Sequence, residues 1–307
     1  MSRALITGSS GFVGTHLVTH LQGIGWQIYG FDRRTSDAGE YFFTGDIADR
    51  DSLQNVLREC QPDVIFHLAG LIKSNLPETI YQANLLGTVS LFESLTELGQ
   101  RPVVVVASSS AVYGPGFSKR PVTEKFKPHP VTHYAVSKLA QEIASIRFFD
   151  AFYLPVMIVR TFNLLGPGQN PDLACSAFAR QIALAERQGS PSAITTGDLS
   201  AQRDFVDVRD AVRAYLLLAE KGQAGKTYNV ASGRAVSIRE CLDFLRKQAR
   251  VPIKAVLDPA RLQKNDVPIQ IGSAKRLQKQ TGWEPEISTE QSLLDLLNDW
   301  RQKLGTE

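Results

Sequence analysis

The sequence predicts an α/β protein, a doubly wound parallel sheet followed by a smaller C-terminal domain. Three observations point there. Short apolar runs ending in glycine, serine or polar residues alternate with segments of helical periodicity through the first half of the chain. The run Val103–Ser108 begins with four consecutive valines, the pattern of a strand buried on both faces. Beyond about Asn163 the alternation loosens into a mostly helical stretch, and 307 residues suit one large α/β unit plus a smaller one.

Arg3–Thr7 reads as the buried first strand. Gly11–Leu21 follows as a helix with Phe12, Val13, Leu17 and Leu21 at helical spacing. Strands are expected at Trp26–Asp32 and Tyr41–Thr44. Arg50–Cys60 is an amphipathic helix through Leu53, Val56 and Leu57, and Val64–Leu68 is the fourth strand. A long helix covers Ile80–Glu97. After the valine strand another covers Tyr134–Phe149, with Ala135, Leu139, Ile143 and Ile146 turned inward. Val156–Arg160 is the sixth strand, and Gly166-Pro167-Gly168 then breaks the chain. Helices are expected at Leu173–Arg187, within Val206–Glu220, and at Ile238–Ala249, Ala274–Gln280 and Thr289–Leu304. Thr227–Val230 and Ile253–Leu257 are extended. The domains expected are a parallel-sheet unit over 1–165, rejoined by 203–230, and a smaller unit from 166–202 and 231–307.

Apolar residues make up 43% and charged residues 21%, as in ordinary globular proteins. A net charge of +3 argues for neither nucleic acid nor a membrane surface. Cys60, Cys175 and Cys241 are odd in number and far apart, so neither a disulfide framework nor a metal cluster is expected. Reduced thiols in a cytoplasmic protein are the simpler reading. No apolar run approaches the ~18 residues of a membrane span. Met1 leads straight into a strand, leaving no room for a signal peptide. His16, His20, His67, His129 and His133 have no metal spacing. His67 is expected to be packed rather than catalytic, with His133 a weak candidate for lining a crevice.

Two constellations carry chemistry. Gly8-Ser9-Ser10-Gly11-Phe12-Val13-Gly14 lies in the first strand-to-helix turn, where glycines let backbone amides approach a pyrophosphate at a helix N-terminus. Asp32 ends the second strand, where a carboxylate accepts from the hydroxyls of an adenosine ribose. Arg33 and Arg34 follow and could hold a 2′-phosphate instead. NAD(H) is favoured and NADP(H) stays open. The second constellation is Tyr134 and Lys138. Four residues apart on a helix, they share one face, and an ammonium beside a phenol is expected to lower the phenol pKa. Ser108-Ser109-Ser110 ends the valine strand, so a hydroxyl there could share a hydrogen bond between the tyrosine and a substrate oxygen.

The glycine turn, Ser109 four residues before Tyr113, and the Tyr134/Lys138 pair together resemble the extended short-chain dehydrogenase/reductase superfamily. Its members have Rossmann-type folds and act mostly on nucleotide-linked sugars, as epimerases, 4,6-dehydratases and reductases. The resemblance runs the length of the chain. It takes in Asp46-Ile47, His67-Leu68-Ala69-Gly70, Asn84 and Arg160-Thr161-Phe162-Asn163. It implies catalytic roles for Ser109, Tyr134 and Lys138. Cofactor contacts are implied at Asp46, Ile47, Leu68, Ala69, Gly70, Asn84, Ala107, Ser108 and Thr161, with Lys138 also on the nicotinamide ribose. Substrate contacts are implied at Ser110 and at Asn163, the latter on the diphosphate. No Asp or Glu stands just after Ser109, so dehydration is not expected.

Later segments resemble GDP-4-keto-6-deoxy-D-mannose reductases. They include Gly166-Pro167-Gly168-Gln169, Arg203-Asp204-Phe205-Val206-Asp207, Tyr228-Asn229-Val230 and Asp258-Pro259-Ala260-Arg261. By that resemblance Arg180 and Arg203 contact the diphosphate, and a further phosphate contact of the family is either lost here or supplied by Arg261 or Lys264. Lys73 resembles a lysine that epimerases place near the sugar. Departures cluster at Leu71–Asn75, Thr161–Leu165 and Arg261–Lys264, where a sugar would sit, so the identity of the nucleotide sugar stays open. The expectation is a 4-keto reductase of a GDP-4-keto-6-deoxyhexose with Tyr134 as proton donor. The alternatives are an NDP-hexose 4-epimerase and a non-catalytic dinucleotide sensor. A homodimer through the Ile80 and Tyr134 helices is implied by the same resemblance.

Overall fold

A computed structural model describes residues 2–34, 41–115, 120–261 and 268–305, with the Arg261 side chain excepted. The chain opens with β1 (Arg3–Thr7), α1 (Phe12–Gly23), β2 (Gln27–Asp32), β3 (Phe42–Thr44), α2 (Arg50–Cys60) and β4 (Val64–His67). It continues through α3 (Pro77–Tyr81), a π-helical turn at Gln82–Leu86, α4 (Gly87–Glu97), β5 (Val103–Ser109), α5 (His133–Phe152) and β6 (Val156–Thr161). The second half holds β7 (Asn163–Leu165), α6 (Ala174–Gln188), β8 (Ser192–Thr196), β9 (Gln202–Asp207), α7 (Val208–Lys221) and β10 (Thr227–Val230). It ends with β11 (Ala235–Ser237), α8 (Ile238–Lys247), β12 (Ile253–Leu257), β13 (Ile269–Gln270), α9 (Lys275–Thr281) and α10 (Thr289–Leu304).

Seven parallel strands form the main sheet in the order β10-β6-β5-β4-β1-β2-β3. The strand order reverses between β1 and β4, and a crevice opens there at the carboxyl ends. Consecutive residues of each strand fill opposite layers. Ala4, Ile6 and Val105 pack under α1 and α7, while Leu5, Val104 and Val106 pack under α2, α4 and α5. The valine run is therefore buried from both sides, as its composition requires. This is the doubly wound, Rossmann-type fold expected.

A third core, with Phe178, Ile182, Leu242, Leu245, Leu296 and Leu297, joins α6, α8 and α10 beyond the carboxyl edge. In that part β9 pairs with β7, β11 and β13, and β12 pairs with β8. The segment expected to rejoin the main sheet does so later than predicted. Residues Gln202–Asp207 are a strand of the small sheet, and only α7 and β10 return to the large one. The helix read within Val206–Glu220 accordingly starts at Val208, with the Asp207 side chain capping the Arg209 N–H.

Two helices depart from their periodicity. The long helix expected at Ile80–Glu97 contains the π-helical turn, which holds buried Asn84. On α5 the inward face is polar: Ser137, Lys138, Gln141, Glu142 and Ser145 are buried beside Ala135 and Phe148, whereas Ile143 is 66% exposed. Of the apolar stripe expected inward, Ala135 is buried and Leu139 and Ile146 pack against core residues, so Ile143 is the one that faces out. Among the described residues no helix is long and apolar enough to cross a membrane.

Candidate active site

A cleft of about 890 Å³ runs from the glycine turn, past the ends of β4, β5 and β6, to the small sheet. Parallel pairing brings its parts together. Thr7 is in register with His67, and Ser109 with Thr161, so all four strands end on one rim.

The glycine turn is shaped by close approach. Gly8 has φ +75°, and a Cβ there would lie 2.8 Å from the Ala69 backbone nitrogen. A Cβ on Gly14 would lie 2.2 Å from the Gly8 carbonyl oxygen. The turn is thus pressed against the end of β4, with its amides at the N-terminus of α1. That helix has no side-chain cap and no acid in its first turn. Such an end suits an anionic pyrophosphate. Gly11, Phe12, Val13, Leu68, Gly70, Ala107, Ser108 and Thr161 also line the cleft. The hydroxyls of Ser9 and Ser10 are buried without a hydrogen-bond partner in the protein, polar atoms that suit a ligand at this turn. These residues fit a bound dinucleotide.

At the next strand end the Asp32 carboxylate accepts from the Ser10 N–H (3.1 Å) and the Arg34 N–H (3.2 Å). The Arg34 guanidinium donates to the Ser10 carbonyl at 2.9 Å, which lays it beside the glycine turn, and Arg33 is exposed. Asp46 is exposed and caps its own turn through the Ala48 N–H, while Ile47 is buried against Gly87.

Ser109, Tyr134 and Lys138 meet at the centre of the cleft. Thr132 caps α5 by accepting from the Ala135 N–H, which places Tyr134 in the first turn and Lys138 one turn on. Lys138 donates to the Ala107 carbonyl (2.8 Å) and to Gln141 Oε1 (2.9 Å). Burial pushes its ammonium down to about 8, although Glu142 acts the other way. Tyr134 behaves opposite to the sequence expectation. Burial holds its phenol above the usual value, and the hydrogen bond with Ser109 is what opposes this.

These features have counterparts in known proteins. Residues 4–231 match the NAD dependent epimerase/dehydratase family. The chain belongs to that family. It is 36% identical to the GDP-6-deoxy-D-mannose reductase of Pseudomonas aeruginosa PAO1, over 99% of both chains. It is 29% identical to a UDP-glucose 4-epimerase of Mycolicibacterium smegmatis, over 98% of this chain and 99% of the other. The structure of RMD from Pseudomonas aeruginosa complexed with NADPH matches with a TM-score of 0.89. The identity is 35%, over 99% of this chain and 100% of that one.

Within this epimerase/dehydratase-family chain, four of the residues expected at the substrate line the cleft: Ser109, Ser110, Asn163 and Arg203. Two others do not. Lys73 is exposed outside the cleft wall, because only Leu71 and Ile72 of its loop turn toward it. Arg180 lies on the outer side of α6, where its guanidinium sits 5.8 Å from the Trp300 ring. The Arg261 side chain and Lys264 lie outside the described residues. Asn84, expected on the cofactor, is buried and uses its amide on the protein. Its Oδ1 accepts from the Leu71 N–H (2.7 Å), and its Nδ2 donates to the Leu71 carbonyl and to Ser137 Oγ. It fixes the loop after β4 to α5.

Other residues of the site were not picked out from sequence. Gln270 on β13 donates to Ser110 Oγ (3.0 Å) and accepts from Asn163 Nδ2 (3.0 Å), closing the cleft floor. Tyr215 on α7 lines the cleft and bonds Thr161 at 2.7 Å. Gln141 follows Lys138 by three positions on the same helix face, a signal that was legible but masked by the apolar stripe. His67 is fully buried between Thr7 and Thr88, as a packed histidine should be. His133 meets Tyr81 at 3.0 Å on the outside of α5.

Proposed function

We propose that the protein is a nucleotide-sugar 4-keto reductase acting on a GDP-4-keto-6-deoxyhexose, with the cofactor along β1, β4 and β5 and the sugar nucleotide against the small sheet. The observation that carries this reading is one continuous cleft joining the glycine turn to Arg203, with Ser109, Tyr134 and Lys138 at its middle. The similarity to the Pseudomonas aeruginosa GDP-6-deoxy-D-mannose reductase supports the substrate class.

A bound nicotinamide dinucleotide supplies the hydride. The chain supplies the rest. Tyr134 holds its proton at neutral pH, because burial raises its phenol, and a phenol that keeps its proton is fitted to donate it to a developing alkoxide. Ser109 orients the substrate oxygen toward that phenol. Lys138 holds the cofactor ribose and stabilises the negative charge left on Tyr134. Arg203 and Asn163 hold the diphosphate, where guanidinium geometry suits phosphate oxygens. The substrate-binding part comprises 166–207 and 231–307, the protein works in the cytoplasm, and it forms a homodimer.

The test is incubation with a panel of 4-keto and saturated NDP-sugars, with and without NADH or NADPH, and NMR identification of products. Stoichiometric consumption of reduced cofactor with a 4-keto substrate is the expected result. The similarity to UDP-glucose 4-epimerases supports a second reading, NDP-hexose 4-epimerisation. That reading requires conversion without added cofactor and dinucleotide retained through purification. Tyr134→Phe is expected to lower turnover ~100-fold or more, the scale of a lost general acid, without changing the fold. Near-normal turnover in that variant would remove Tyr134 from the mechanism.

A further inference from the structure

We propose that Gln141 and His67 are positioning residues for Lys138, acting through buried hydrogen bonds of fixed direction that run from Ala69 and from the lysine to a shared acceptor, Thr88. The inference rests on the reading of Lys138 as a cofactor-binding and catalytic residue.

The direction of every bond in the chain is fixed by its ends. The Ala69 N–H can only donate, and it reaches Thr7 Oγ1 at 3.2 Å. The Asn84 carbonyl can only accept, and it takes the single hydroxyl hydrogen of Thr88 at 2.7 Å. Thr88 Oγ1 must therefore accept from its other neighbours. These are Gln141 Nε2 at 2.7 Å and His67 Nε2 at 2.8 Å. His67 then carries its proton on Nε2, and Nδ1 accepts from the Thr7 hydroxyl at 2.8 Å. The same logic orients Gln141: with its amide nitrogen on Thr88, its Oε1 faces Lys138 Nζ at 2.9 Å. Each donor and acceptor has one role.

Thr88, Gln141 and His67 are all fully buried. The consequence for Lys138 is geometric. Two of its three N–H groups are committed to Ala107 and Gln141, so the third is aimed into the cleft the lysine lines. Both anchors are neutral. The neighbouring carboxylate, Glu142, is engaged by Arg160 at 2.6 Å and by the Ser108 hydroxyl. The ammonium is held in place without being neutralised. Through Thr7 the chain also reaches the base of the glycine turn, coupling the position of the lysine to the strand that carries that turn.

The first test needs no turnover. Nitrogen-15 NMR of the imidazoles in the full chain without cofactor should show His67 as the neutral Nε2–H tautomer from pH 5 to 8. An Nδ1–H tautomer, or titration within that range, would overturn the proposal. The second test is Gln141→Met, which keeps length and removes both polar ends. With the folded fraction checked by circular dichroism, kcat should fall about 10- to 100-fold, the scale of a small misplacement. KM for the nucleotide sugar should stay within about twofold, since uniform binding is untouched. Gln141→Glu keeps an acceptor toward Lys138 but neutralises the ammonium and removes the donor to Thr88, so it should not restore kcat. Unchanged kcat in folded Gln141→Met, or wild-type kcat in Gln141→Glu, would sink the proposal. Lys138→Met separates the two levels: turnover retained there would overturn the reading of Lys138 and the inference with it.

Discussion

Burial pushes the His67 imidazole down to about 3, and the nearby Lys138 ammonium acts in the same direction. In the unfolded chain the ring titrates near ~6.5. The folded state therefore binds fewer protons below that value. The stabilisation from a neutral His67 is complete above ~6.5 and is lost as pH falls toward 3, at up to ~1.4 kcal/mol per pH unit. We expect the urea midpoint to fall across this window more steeply in wild type than in His67→Gln, and equal slopes would assign the acid sensitivity to other groups. Asp32 and Arg34 carry a second residue-scale prediction. On the proposed binding mode one carboxylate and two arginines face the adenosine ribose, and the Arg34 guanidinium lies beside Ser10. Arg34→Ala should raise KM for NADPH about 10-fold, the value of one charged hydrogen bond, and leave NADH within about twofold. Equal effects on both cofactors would argue that Arg34 serves the turn rather than the phosphate. At this scale the sequence was informative where spacing puts two residues on one helix face, as for Tyr134 and Lys138 on the cleft wall, or where a turn demands glycine. It did not show that the Asn84 amide is spent on Leu71 and Ser137, or that Lys73 and Arg180 lie off the cleft wall. Their side-chain directions depend on a π-helical turn, a loop path and the rotation of α6, none of which leaves a local trace.

The behaviour of α5 shows why elements can be legible while their faces are not. Its length and its place after β5 follow from periodicity, and the Thr132 cap agrees. Its buried face was only partly read because a helix with Lys138 and a polar network turned inward has little amphipathic contrast. Tyr134, Lys138, Gln141 and Ser145 recur at helical spacing and mark the inward side, which they share with Ala135 and Phe148, while Val136 and Ile143 lie outside. The short strands of the second half were missed for a related reason. β7, β11 and β13 have three, three and two residues, too few for any alternation to register. Yet β13 supplies Gln270, which ties Ser110 after β5 to Asn163 after β6. Gln270→Leu keeps the volume close and leaves both partners without their bridge. We expect KM for the nucleotide sugar to rise about 10-fold, with the dissociation constant for the dinucleotide unchanged by fluorescence titration. An effect on the dinucleotide alone would place Gln270 with the cofactor rather than the sugar.

At the scale of the whole molecule, the unresolved feature is what covers the outside of α5. Val136 is 39% exposed, Ile143 66%, and Leu86 on the adjacent π-helical turn 54%. Three large apolar side chains on one helical layer are more than scattered exposure would require. The same layer carries charges that can pair at its margin, with Arg147 3.8 Å from Glu93. A two-fold axis across α4 and α5 would set each apolar strip against its copy, giving a self-complementary contact with a charged rim. Such a contact lies directly behind Tyr134 and Lys138, because the inward face of the same helix forms the site. Rigidity gained by pairing would therefore be felt at the catalytic pair. The prediction is dimeric mass by light scattering at micromolar concentration, and monomeric mass for Ile143→Glu with unchanged circular dichroism. A charge at that position is buried without a partner only if the dimer forms there, so the variant should shift the dissociation constant at least ~100-fold, as expected for an unpaired buried charge. Dimers persisting in Ile143→Glu would place the interface on another face, and a wild-type monomer would leave the apolar strip to a different partner.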